Sequence, residues 1–164
     1  MFQQRFLNKL LSVESSLAAI AYAVVAGLLL SDIVAREVFS FSILGAQKWA
    51  VFATTLAGFF GLVMTTADNS HLRPRVFDNW LPKSIHPQVK RLGDFISAAL
   101  FCVMGWYAVV YVGETFSNND RAAVLYIYLW PIQLIIPYAF FACALRHLAF
   151  GCWPDLKPIE SAGE

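Results

Sequence analysis

The chain has 164 residues, 59% of them hydrophobic and 14% charged, with a net charge of +1. Soluble domains carry about a quarter charged residues, so lipid must replace water around much of this surface, and the near-neutral total gives no reason to invoke nucleic acid or an acidic substrate. Cys102, Cys143 and Cys152 lie in or at the end of apolar runs without a CxxC spacing. That argues against a disulfide framework or a metal site and for small apolar packers.

The N-terminus, MFQQRFLNKLLSVESS, lacks the layout and small-residue cleavage site of a signal peptide, so the first span is expected to be retained. Phe2, Phe6, Leu10 and Val13 recur at spacings of three and four, with Gln3, Gln4, Arg5, Asn8 and Lys9 on the other side. Residues 1–14 thus suit a cytoplasmic amphipathic helix lying in the headgroup plane. A plain polar lead-in to the first span accounts for them equally well.

A span needs roughly 20 apolar residues to cross about 30 Å of hydrocarbon. Four runs qualify, and the expected spans are 15–38, 46–67, 94–115 and 129–151, within a membrane domain of residues 15–152. In the first, Ser15, Ala19, Ala23, Gly27 and Ser31 repeat every fourth residue, and Ala19, Ala23 and Gly27 can share one close helix contact. Asp32 and Arg36 stand in the better order for a helical ion pair at the membrane edge. The second run opens at Trp49, an interfacial aromatic, and carries Ala53, Ala57, Gly58 and Gly61.

The central section from Asp68 to Asp94 holds His71, Arg73, Arg75, Lys83, His86, Lys90 and Arg91, with three prolines. Trp80, Leu81, Ile85, Val89 and Leu92 suggest short helices against the membrane surface, breaking at Pro82 and Pro87. Phe95 to Gly113 forms the third charge-free run. The fourth is longer than a straight span requires. Its residues Leu125 to Trp130 read as an interfacial lead-in, with the helix starting near Pro131, where a missing N–H costs nothing. Pro137 then bends it or shapes its first turns. Arg146 and His147 mark the exit, and residues 153–164 read as a cytoplasmic disordered tail.

Lys and Arg cluster at both termini and in the central section, while the other two loops share only Arg36, Lys48 and Arg121. Basic residues favour the cytoplasmic side. The reading is an all-α integral membrane protein of four transmembrane helices with short interfacial amphipathic helices and both termini cytoplasmic. Trp49, His71, Arg73, Arg75, Trp80, Lys90, Arg91, Trp130 and Arg146 are its interface anchors. Ala19, Ala23, Gly27, Ala57, Gly58 and Gly61 are its candidate docking surface.

No nucleophile–base pair, carboxylate pair, ligand cluster or phosphate loop stands out, so no catalytic, metal, cofactor or substrate residues are assigned. Ionisable groups deep in a span mark an ion or substrate path. Here Glu14, Asp32, Asp94 and Glu114 all fall at the ends of the runs, and Gln133 suits a hydrogen bond to a neighbouring helix. The pattern points to a packing partner of a larger membrane protein.

The ordered set of motifs resembles the small four-helix membrane subunit of tripartite ATP-independent periplasmic (TRAP) transporters. Trp49 opens the second helix, Phe59-Phe60-Gly61 sits near its middle, His71 follows its exit and Leu81-Pro82 closes the next short element. In the fourth segment Pro131, Pro137, Tyr138 and Leu145-Arg146-His147-Leu148 continue the match, which covers roughly residues 5 to 150. Two places depart from the family pattern. Gln47 and Lys48 stand where members often carry an acid, and Leu72, Arg73, Pro74 and Arg75 follow His71 where an aliphatic residue and an acid are usual.

The resemblance implies partners: a large membrane subunit of the elevator type, a periplasmic binding protein that delivers an organic acid such as a dicarboxylate or sialic acid, and membrane lipid. It implies sodium-coupled import across the bacterial inner membrane, with no enzyme activity, no cofactor and no nucleic acid. Two other classes share four spans. A small multidrug-type exporter, acting as a homo-oligomer, would use an acid in its first span, for which Glu14 stands at the edge. A quinone-linked disulfide oxidase would need paired outer cysteines, which Cys102, Cys143 and Cys152 do not supply.

Overall fold

The computed structural model describes residues 2–67 and 86–154. Four of its helical stretches are long and apolar enough to cross a membrane: Lys9–Phe39, Ala46–Ala67, Arg91–Ser117 and Trp130–Cys152. There is no strand among the described residues. The central basic section, with His71, Arg73, Arg75 and Trp80, lies outside them, as do most of the C-terminal residues.

α1 runs unbroken from Phe2 to Phe39. Where the sequence suggested a separate helix over residues 1–14, the same helix continues. No Gly or Pro precedes Gly27, and the Ser15 and Ser16 hydroxyls donate back to the Ser12 carbonyl at 3.0 and 2.8 Å without breaking the ladder. Its inward stripe is Leu7, Leu11, Glu14, Ala18, Ala21, Val25, Leu28, Asp32 and Ala35, all buried or half-buried. Steps of three and four averaging 3.5 keep one seam against a neighbour. At the far end Ser40 adopts a left-handed conformation (φ 55°), and the Ser40 and Phe41 N–H groups donate to the Arg36 and Ala35 carbonyls.

α2 (Ala46–Ala67) answers with Ala46, Ala50, Ala53 and Ala57, all buried, then Phe60, Val63 and Thr66. Alanine at successive seam positions lets the two backbones come close. α3 (His86–Ser117) starts with Pro87 in its first turn. Its inward stripe, Asp94, Ala98, Phe101, Gly105, Ala108, Val112 and Thr115, repeats the same spacing. The fourth span is divided at Leu134. α4 (Trp130–Gln133) carries Pro131 in its first turn, and α5 runs from Ile135 to Cys152. Pro137 has no N–H to offer the Gln133 carbonyl four residues back, so the helix is interrupted there. The Gln133 side chain makes the inter-helix bond expected of it, its Nε2 donating to the Tyr111 hydroxyl of α3 at 3.1 Å.

α1 packs on α2 and α3 on α5, and the two hairpins meet along α2 and α5. The core sits on that seam: Val63, Ala139, Ala142 and Cys143, flanked by Phe59, Leu62 and Phe101, with Ala18, Phe60 and Ile135 beside it. α1 and α3 turn broad apolar faces outward, among them Leu30, Val34, Leu100, Trp106 and Tyr107. Exposure on that scale is incompatible with a monomer in water and belongs in lipid or against a partner.

At one end of the bundle two loops lock together. Leu125, in the loop between α3 and α4, rests on Gly45 in the turn between α1 and α2. The Arg121 guanidinium lies 4.6 Å from the centre of the Tyr128 ring, and its Nη2 donates to the hydroxyl of the same residue at 2.8 Å.

Candidate functional site: a buried polar layer and an outward small-residue face

Close packing alone does not discriminate between helices in lipid, because the tails are as apolar as the side chains. Polar contacts then carry much of the specificity. In this chain they converge on one turn of α5, where Cys143, Arg146 and His147 each reach a different helix. Arg146 Nη2 donates to Glu14 Oε2 of α1, and the Tyr138 hydroxyl donates to Glu14 Oε1 at 2.7 Å. The Thr66 hydroxyl of α2 lies 3.2 Å from Cys143 Sγ. His147 Nδ1 is 3.5 Å from Asp94 Oδ1 of α3, and its ring stacks on Phe101 at 5.5 Å.

All six of Glu14, Thr66, Asp94, Cys143, Arg146 and His147 are buried. The layer is a set of tethers from one central helix to the other three. Among the described residues no group of three or more His, Cys, Asp or Glu side chains converges as a metal site would.

A second carboxylate ties the other end of α1. Asp32 Oδ1 accepts from the Ile43 N–H at 2.9 Å and the Ser42 hydroxyl at 3.2 Å, and Arg36 Nη2 approaches Oδ2 at 2.8 Å. The ion pair expected between Asp32 and Arg36 is therefore present, with Asp32 also holding the turn that leads into α2.

The residues singled out from sequence separate into three groups. Ala19, Ala23, Gly27 and Gly58 face outward, Gly61 is half-buried, and Ala57 is sealed inside the chain. A Cβ built on Gly27, Gly58 or Gly61 would meet nothing within 4 Å, whereas one on Gly105 would meet the Phe141 ring at 2.9 Å. Trp49 is exposed and Trp130 half-buried, edge-on to Phe116 at 5.5 Å. Arg91 is exposed; Lys90 lies in α3. Arg146, read from sequence as a surface anchor, is 1% exposed and paired with Glu14. Burial opposite a carboxylate, not the interface, accounts for its position.

Glu14, Asp94 and His147 were also missed as packing groups. Each stands at the end of an apolar run, where a charge reads as a boundary. The available clue was register, since Glu14 and Asp32 fall on the 3.5-residue stripe and Asp94 opens the equivalent stripe of α3.

A multi-pass membrane protein is defined by four such helices, by polar groups engaged in contacts between them, and by small-residue faces turned outward. The family model described as the DctQ component of tripartite ATP-independent periplasmic transporters matches residues 12–151. The chain belongs to that family and is a small membrane component of a TRAP-type transporter, a family of transporter parts and not of enzymes. No curated protein matches the sequence. The exporter alternative loses its basis, since Glu14 is engaged by Arg146 and Tyr138. The disulfide-oxidase alternative gains no support, since Cys143 is buried against the Thr66 hydroxyl and the matched family is one of transporter parts.

Proposed function

We propose that this subunit packs beside the large elevator-type membrane subunit of its transporter and holds that subunit's static part in place. Transport is then sodium-coupled import of an organic acid, a dicarboxylate or sialic acid for example, across the bacterial inner membrane. A periplasmic binding protein delivers the substrate. This chain supplies no catalytic, metal or cofactor site. Ala19, Ala23 and Gly27 on α1, with Gly58 and Gly61 on α2, are the docking surface; Ala57 serves the contacts inside the chain. Trp49, His71, Arg73, Arg75, Trp80, Lys90, Arg91 and Trp130 set the depth in the membrane.

The observation that carries this reading is the contrast among the glycines. Those against helices of the same chain, Gly105 and Gly151, are crowded, and those on the proposed docking surface are open, as are Gly93 and Gly113 of α3. Small residues with nothing above them leave room for another backbone.

Gly27→Leu and Gly61→Leu should therefore leave the subunit's own melting temperature unchanged and cut copurification of the large subunit by about tenfold, the equivalent of about 1.4 kcal/mol of lost contact. Normal copurification and normal transport by both variants would remove these positions from the interface. The proposed orientation has its own check. An alkaline phosphatase fusion after Pro82 is expected to be inactive and one after Asn118 active; the reverse pattern inverts the topology.

A further inference from the structure

α1 offers two surfaces on which another helix could pack. One is the inward stripe from Leu7 to Ala35. The other is the outward row Ala19, Ala23 and Gly27, about 170° away on a helix turning about 100° per residue. The row is built of smaller residues than the stripe, so close approach to the alanines of α2 does not by itself select the stripe. Lipid does not select it either, since apolar packing is not driven by escape from water inside a membrane.

Two side chains do discriminate. Glu14 and Asp32 lie near opposite ends of the stripe, about 27 Å apart along the axis. Each is at most 1% exposed. Each is held by partners that only one rotation of α1 can reach: Arg146 and Tyr138 for Glu14, and the Ser42 hydroxyl and Ile43 N–H for Asp32. A half-turn of α1 would move both carboxylates away from these partners and strand Arg146 inside the bundle without its counter-charge, which is the costly way to break a buried pair.

We propose that Glu14 and Asp32 are azimuth pins, whose function is to fix the rotation of α1 so that the small-residue row faces outward. The value of that row to a partner rests on the docking reading above; the pins do not depend on it.

The test is disulfide crosslinking of the full chain in the membranes of expressing cells, with the native cysteines replaced. Ala18 packs with Phe60, and one turn along the antiparallel pair sets Ala21 beside Ala57. With both carboxylates intact, Ala21→Cys with Ala57→Cys should crosslink, and Ala23→Cys with Ala57→Cys should crosslink about tenfold less. Adding E14Q and D32N should raise the second pair to a yield comparable with the first. An unchanged preference for the first pair overturns the proposal.

Should the E14Q/D32N chain fail to accumulate because Arg146 is left without its counter-charge, Glu14→Leu with Arg146→Leu and D32N takes its place, so that no buried charge stands alone. A rise of the Ala23–Ala57 crosslink in that chain then supports the pins, and an unchanged preference for the Ala21–Ala57 pair overturns them. The crosslink pattern judges the pins alone, and copurification of the same variants judges the docking reading.

Discussion

Arg146→Ala, with Glu14 left in place, is expected to destabilise the subunit by about 3–5 kcal/mol, the usual consequence of removing one partner from a buried ion pair. Arg146 and Glu14 are both 1% exposed. The carboxylate would keep its bond from Tyr138 and lose its only cationic partner among the described residues. The measurement is the fraction of detergent-purified chain that stays monodisperse on size-exclusion chromatography after stepwise heating. Replacing both members, Glu14→Leu with Arg146→Leu, should cost clearly less than either single change, because no buried charge is then left alone. A double variant as unstable as the two singles combined would show that the pair contributes more than mutual neutralisation.

The second large effect is expected at Gly45. Its φ of 85° belongs to the left-handed region, and a Cβ there would stand 2.6 Å from Leu125 Cδ2. Gly45→Val combines a β-branched residue at positive φ, a genuine outlier, with eviction of Leu125. The backbone strain alone costs of order 1–3 kcal/mol, and with the clash we expect a loss of about 3 kcal/mol. The same heating series reads it.

Leu125→Ala separates the two causes. Combined with Gly45→Val it removes the clash and leaves the strain, so the double variant should lie between Gly45→Val and the sum of the two changes. Strict additivity would mean that the side chains do not meet and the loops at that end are not locked through this contact.

The sequence made the four spans legible through its charge-free runs, because lipid imposes a plain length and composition requirement on any helix that crosses it. Pro131 and the Asp32–Arg36 pair were readable for similar reasons, since each acts within a few residues of itself. The family was readable from ordered landmarks, and the match over residues 12–151 agrees with it. Arg146 was misplaced because a charge at the end of an apolar run looks the same whether it meets headgroups or a carboxylate 132 positions away.

Sequence alone thus determined what each segment is: a membrane helix, its approximate ends, and the small residues along its surface. Those properties follow from local composition and from the 3.6-residue turn. Only the tertiary structure decided which face of each helix points inward. It set the stripe of α1 against α2 and left Ala19, Ala23 and Gly27 outside. It also gathered Glu14, Thr66 and Asp94 onto one turn of α5. The physical reason is that the packing partner of a membrane helix is chosen by a few polar groups from distant segments, and their pairing exists only once the helices stand side by side.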